Sequence, residues 1–284
     1  MHPRPHLAPG SSGSTGDQPS LAPRTAYLLG DCLEALAWCR AHLNEVFGPG
    51  AVDIARWAVG GESAGARLST LMAIRAHPPP RVVLDLYGHT TYYPSQVQDP
   101  LPPSAFEWPT NLPPIDDVLE SVNSHDPARA IVHAPYFNLD EDELRTLWSF
   151  PSFVMSERVG MQLAIVKYYA LSKSKNFHAL RLNEYSDGNS KERQARVDEF
   201  SLVHQLERVK TYPPTVILQG MGDTVVDPKM SIALEAQLRD KGVPVLALYE
   251  EGAPHGFDFV FESPAVQDYD KYITATLNYV DEYI

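Results

Sequence analysis

Apolar residues along this chain follow two kinds of pattern, one typical of helices and one typical of buried strands. From Leu29 to Val46 they recur at three- and four-residue spacing, which predicts a helix that packs one stripe on a core. The run Arg81–Gly88 is apolar at nearly every position, as in a parallel sheet that is covered on both faces. Three more short runs predict strands, and three more runs predict helices: strands Arg56–Val59, Pro214–Gln219 and Val243–Tyr249, and helices Ala66–Ile74, Asp227–Lys241 and about Pro264 to Tyr283. Because helices and strands alternate, the pattern predicts an α/β architecture.

Two stretches of the chain lack this alternation. Half of residues 1–24 are Pro, Gly or Ser, which predicts a flexible arm, because such a segment cannot bury enough apolar surface to become ordered. We expect residues 25–284 to form one α/β domain. Within it, the interval from about 89 to 209 begins with loops rich in Pro and aromatic residues and continues with helical patches. We interpret this interval as a helical cap inserted over the active site.

Composition and charge argue against several classes of function. The chain has 284 residues, 44% of them hydrophobic, which is enough for a sizeable core. With 23 Lys and Arg against 36 Asp and Glu, the net charge is −13, so nucleic acid and anionic membrane surfaces are unfavourable partners. No membrane-spanning run or secretory leader is expected, and Cys32 and Cys39 lie too far apart on one helix to pair. These features predict a cytoplasmic protein, and no residue pattern indicates a metal or cofactor.

The segment Gly61–Gly65 has the form G-x-S-x-G, with Ser63 at its centre. A predicted strand precedes it and a predicted helix follows. A serine at such a turn is held in strained backbone geometry, and the flanking glycines let the two elements pass closely. This context predicts that Ser63 is a nucleophile, although the five-residue pattern alone also occurs by chance.

A serine nucleophile needs a histidine base, and the histidine needs an acid to fix its tautomer. Asp223 follows the strand that ends at Gln219, and His255 follows the next strand. Since loops after the carboxyl ends of parallel strands share one edge of the sheet, we expect Ser63, Asp223 and His255 to lie together. Asp227 is the alternative acid, unless it serves only to cap the following helix.

These motifs resemble the α/β-hydrolase superfamily, and most closely its hormone-sensitive-lipase-like branch of carboxylesterases. The matching segments are Gly61–Gly65, Gly220–Val226 and Pro254–Phe257. The resemblance implies a carboxylic-ester hydrolase in which Ser63 attacks, His255 carries the proton and Asp223 orients the histidine. It also implies that the backbone N–H of Ala64 is one oxyanion donor.

The chain departs from this family in one respect. The family carries a His-Gly-Gly-Gly motif before the elbow that supplies further oxyanion donors, and no such motif is present here. We therefore expect the first strands of the fold to be missing. Loss of one oxyanion donor typically costs about 10²–10³ in rate. The elbow strand would then be an exposed edge, which favours a homo-oligomer that pairs through it.

The sequence leaves more than one function open. The first is a serine esterase that acts on a small or medium organic ester through an acyl-enzyme, for example in tailoring of a secondary metabolite. A thioesterase or peptidase of the same fold is a variant of it. The alternative is a catalytically impaired protein that binds a ligand or a partner, which the missing oxyanion motif favours and the presence of His255 disfavours.

Overall fold

The computed structural model of the protein describes residues 25–92, 112–122, 164, 165, 167, 168, 171, 190–261 and 263–284. Contacts divide the chain into two units, Met1–Ala22 with Pro109–Ile165, and Pro23–Trp108 with Val166–Ile284. The predicted arm and most of the predicted cap lie outside the described residues.

The second unit contains a four-stranded sheet with helices before, between and after its strands. In chain order, it begins with α1 (Thr25–Phe47), β1 (Ala58–Glu62), α2 (Ala64–Arg75) and β2 (Val82–Leu86). Helix α3 (Ile115–Val122) belongs to the first unit. The second unit continues with α4 (Ser190–Phe200), α5 (Leu202–Arg208), β3 (Thr215–Gly220), α6 (Lys229–Asp240), β4 (Val245–Glu250) and α7 (Ala275–Tyr283). A 3₁₀ helix, Phe257–Val260, follows β4, and a π-helical turn, Asp270–Thr274, leads into α7.

The sheet is parallel throughout, and its strands lie in the order β1-β2-β3-β4. Gly61 of β1 is level with Asp85 of β2, which is level with Ile217 of β3. All four carboxyl ends therefore meet at one edge. The predicted α/β class with a mostly parallel sheet is confirmed.

Helices cover the sheet through leucine-rich contacts. Leu202 and Leu206 of α5 pack with Leu234 and Leu238 of α6 and with residues of β2 and β3 in one buried cluster. Helix α5 lies inside the interval 89–209 that we interpreted as a cap, so this part of the interval packs on the sheet. In a second cluster, Leu29 of α1 packs on α2.

Several boundaries differ from the sequence prediction. Strand β1 extends through the elbow glycines to Glu62, because Gly60 and Gly61 pair with β2. The last helical segment begins with the π-helical turn at Asp270 rather than near Pro264, since Asp268 has a left-handed φ of 65° that interrupts a helix upstream. Leu277, one of the apolar residues of α7, is 54% exposed.

Cys32 and Cys39 are both unpaired thiols on α1. No helix within the described ranges combines the length and the apolar content needed to cross a membrane.

Strand β1 is an edge strand in the described part of the sheet. The Ser63 N–H donates to Leu86, and the Trp57 carbonyl accepts from Arg81, so these two residues face β2. Backbone groups alternate in direction along a strand, and those of Ala58 and Gly60 therefore point away from β2.

We propose that two copies of the chain pair through this edge. Sedimentation velocity should show self-association that rises with concentration and is reduced in Ala58→Pro, since proline removes an edge donor without breaking a bond to β2. A monomer at every concentration would contradict the proposal.

Candidate active site

Ser63 lies in the turn between β1 and α2 with φ 51° and ψ −113°. A non-glycine residue with positive φ carries backbone strain of the order of 1–3 kcal/mol, and such strain is typical of functional sites. The turn closes tightly, because a Cβ at Gly61 would lie 2.5 Å from the carbonyl carbon of Gly65. The Ser63 N–H donates to the Leu86 carbonyl at 2.9 Å, which fixes the elbow to the end of β2. The side chain is half-buried.

Asp223 follows β3 and is 6% exposed. Its carboxylate accepts hydrogen bonds from the backbone N–H of Val225 (2.7 Å) and Val226 (2.9 Å). It also accepts one from Gln219 Nε2 at 3.1 Å and contacts His255 Nδ1 at 2.7 Å. These four contacts offset the cost of burying the charge and hold the carboxylate in one orientation.

His255 lies in the loop after β4, and backbone bonds tie this loop to the loop after β3. The Gly222 N–H donates to the Ala253 carbonyl at 2.9 Å. A Cβ at Gly220 would lie 2.4 Å from that same carbonyl oxygen, so only glycine allows the two loops to approach so closely. This approach brings the imidazole to Asp223.

The structure therefore joins two of the three sequence-predicted residues directly. Asp223 and His255 share a hydrogen bond, and Ser63 lies at the same edge of the sheet. Within the described part of the chain no hydrogen bond joins Ser63 to His255; such bonds often tighten only when substrate is bound. Asp227, the alternative acid, instead accepts the Lys229 N–H at 3.0 Å at the start of α6. Ala64 opens α2, where backbone N–H groups face outward from the helix start.

Three further residues at this edge were not found by sequence reasoning. Tyr87, directly after β2, has φ 44°, and its ring meets the His255 ring edge-on with centroids 4.7 Å apart. Glu62 precedes Ser63, and Asp258 follows His255 by three positions. The one available signal was the position of Tyr87 at the carboxyl end of the predicted strand Arg81–Gly88.

The ionisable groups of Glu62, Tyr87 and Asp258 influence one another's pKa. Burial, and then the neighbouring Asp258, raise the pKa of Glu62, and burial raises the pKa of Asp258. Burial, followed by the two carboxylates, raises the pKa of the Tyr87 hydroxyl well above its ordinary value, so it stays protonated. The His255 imidazole acts in the opposite sense, lowering the pKa of both carboxyls. Two carboxyl groups besides Asp223 therefore interact electrostatically with His255.

The described residues contain no group of three or more His, Cys, Asp or Glu side chains placed to hold a metal ion. The chemistry available at this edge is that of a hydroxyl, an imidazole and carboxylates.

Comparison with known families supports the same fold. Residues 162–283 match the model of the prolyl oligopeptidase family, Peptidase_S9. This segment includes Asp223 and His255 and leaves out Ser63. No curated protein sequence matches the chain.

Among solved structures, the chain is similar to esterases and to one peptidase. An esterase of Pyrobaculum calidifontis is 14% identical with a TM-score of 0.44, over 89% of this chain and 60% of that one. Carboxyl esterase 2 of Tuber melanosporum is 16% identical with a TM-score of 0.45, over 90% and 62%. A puromycin-hydrolyzing peptidase of Mycobacterium tuberculosis is 17% identical with a TM-score of 0.40, over 81% and 22%. The chain thus spans less than two thirds of the length of each of them.

The parallel sheet, the strand–serine–helix turn and the family match identify the fold as the α/β-hydrolase fold. The predicted fold class and the resemblance to α/β hydrolases are confirmed.

Proposed function

We propose that this protein is a serine hydrolase that cleaves carboxylic esters through an acyl-enzyme. The observation that carries the proposal is the hydrogen bond between Asp223 and His255 at the edge of the sheet where Ser63 forms a strained elbow. Because Nδ1 of the imidazole is engaged by Asp223, Nε2 is left as the base. It takes the proton of the Ser63 hydroxyl as the oxygen attacks the ester carbonyl.

The remaining steps follow from the same groups. The Ala64 N–H, at the start of α2, stabilises the negative oxygen of the tetrahedral intermediate. The imidazolium then donates its proton to the leaving alcohol, and the C–O bond to that alcohol breaks. Water attacks the acyl-enzyme with His255 again as base, releasing the acid and restoring the Ser63 hydroxyl.

The substrate class follows from the composition of the interval between the strands. The long interval rich in Pro and aromatic residues suits a small or medium organic acyl group, and tailoring of a secondary metabolite is one setting for such an enzyme. A screen of p-nitrophenyl esters with graded acyl length should give an optimum among short or medium chains. Equal turnover at every chain length would argue against an acyl pocket.

Peptide hydrolysis is the second candidate, because the matched family model is that of the prolyl oligopeptidases. The two activities separate when a p-nitrophenyl ester is compared with the p-nitroanilide of the same acyl group. An esterase cleaves the ester only, whereas a peptidase cleaves both.

A fluorophosphonate probe tests the nucleophile directly. We expect it to label the folded protein at Ser63, because the elbow exposes an activated hydroxyl beside a histidine base. Ser63→Ala should abolish labelling and ester turnover. Ser69→Ala on the same helix, whose hydroxyl only bonds the Ala66 carbonyl, should retain both.

Failure of the folded wild-type protein to react with the probe would contradict the hydrolase proposal. It would favour the other class, a binding protein that keeps the fold without the activity.

A further inference from the structure

One residue outside the Ser63–Asp223–His255 set contacts the base and directly follows Leu86, which bonds the elbow. We propose that Tyr87 is a positioning residue, which holds the His255 imidazole in the plane needed to reach Ser63. This inference rests on the proposed hydrolase function.

The backbone places Tyr87 between the two groups. The carbonyl of the preceding Leu86 accepts the Ser63 N–H at 2.9 Å, so the chain at Tyr87 is fixed to the nucleophile. The Tyr87 N–H donates to the Leu218 carbonyl of β3 at 2.7 Å. Between these bonds Tyr87 has φ 44°, a conformation that costs a bulky residue free energy. This strained residue lies at the end of strand β2, next to the bond between Leu86 and the elbow.

The ring of Tyr87 is 1% exposed and lies against the imidazole. The two rings meet at 66° with centroids 4.7 Å apart, an edge-on arrangement that aromatic rings prefer. The hydroxyl is buried near the carboxyl groups of Glu62 and Asp258, and it has no hydrogen-bond partner within the described residues. Tyr87 is therefore fixed at its backbone and along its ring.

The ring supplies a restraint that Asp223 alone does not. A single hydrogen bond at Nδ1 fixes the tautomer but leaves the imidazole free to rotate about the direction of that bond. A buried ring packed against the imidazole blocks this rotation and keeps Nε2 aimed at the elbow. Displacement of a catalytic group by about 1 Å costs roughly 100-fold in rate.

Substitutions at Tyr87 separate its ring from its hydroxyl. Tyr87→Phe keeps the ring, and Tyr87→Leu removes it while leaving the same Cβ constraint on the backbone. We expect kcat for a p-nitrophenyl ester to fall less than 10-fold in the phenylalanine variant and about 100-fold in the leucine variant, with KM within 3-fold in both. Tyr249→Phe is the control for loss of a tyrosine hydroxyl, since the Tyr249 hydroxyl donates to Glu235 at 2.8 Å, away from His255.

The outcomes are distinct. Three results would overturn the role of Tyr87. They are a kcat of the leucine variant within 3-fold of the wild type, equal losses of kcat in both variants, and a change in KM alone. If the leucine variant does not fold, Tyr87→Met fills the space with a flexible chain and carries the same expectation. Absence of turnover by the wild-type protein would instead overturn the proposed hydrolase function, and the role of Tyr87 with it.

Discussion

Asp223→Asn should lower kcat for ester hydrolysis by about 10⁴-fold, the loss expected when the acid partner of a catalytic histidine becomes an amide. The contacts of Asp223 explain why. Its Oδ1 accepts the N–H groups of Val225 and Val226, so the oxygen of an asparagine would take that position. The NH₂ group would then face His255 and donate to Nδ1. This holds the imidazole in the tautomer with its proton on Nε2, which cannot accept the proton of Ser63.

The matched control is Asp227→Asn. Asp227 lies four positions further along the same loop and only accepts the Lys229 N–H at 3.0 Å. We expect its kcat to stay within about 3-fold of the wild type, because a helix cap contributes to stability, typically about 1 kcal/mol, and not to proton transfer. Steady-state kinetics on both variants, with circular dichroism to confirm folding, decides the assignment. A large loss in Asp227→Asn with little change in Asp223→Asn would reassign the acid.

The strands, the elbow and the two loops that carry Asp223 and His255 could be predicted because each depends on local sequence. A short apolar run followed by a turn marks the carboxyl end of a strand, and parallel strands bring those ends to one edge without further information. Ser63, Asp223 and His255 each follow such a run. The bond between Asp223 and His255 adds geometry that the sequence order only suggested.

Tyr87 and the late start of α7 could not be predicted in the same way. Nothing in the residues around Tyr87 indicates a left-handed φ, which arises from the bonds of Leu86 and Tyr87 to the elbow and to β3. The amphipathic spacing after Pro264 continues through residues that form turns, and only the backbone at Asp268 interrupts the helix. Both features depend on tertiary contacts that override local preference.

The apolar pattern of β2 did not indicate that Asp85, the one charged residue within this strand, is buried. It stands in the middle of β2, is 0% exposed, and lies so close to Gly88 that a Cβ there would be 2.0 Å from its Oδ1. Burial raises its pKa from 3.8 to about 7, against the opposing effect of the Gly88 backbone N–H. The folded protein therefore holds a neutral carboxyl at a pH where the unfolded chain has already released the proton.

Asp85→Asn should consequently change how stability depends on pH. Between pH 4 and 7 the folded state binds more protons at this site than the unfolded state, so the Asp85 contribution to the free energy of unfolding falls as pH rises and is constant above 7. A pKa shift of about 3 units at about 1.4 kcal/mol per unit gives a loss of about 4 kcal/mol. Asparagine has the same shape and does not titrate, so it removes that loss.

Urea unfolding of both proteins at pH 4, 6 and 8 measures the effect. Relative to the wild type, Asp85→Asn should gain about 4 kcal/mol in unfolding free energy from pH 4 to pH 8, with most of the gain reached by pH 7. Asp240→Asn on the exposed end of α6 is the control, and its difference from the wild type should change by less than about 0.5 kcal/mol over the same range. A pH-independent difference between Asp85→Asn and the wild type would contradict this prediction. It would show that the Asp85 carboxyl ionises as readily in the folded protein as in the unfolded chain, despite its complete burial.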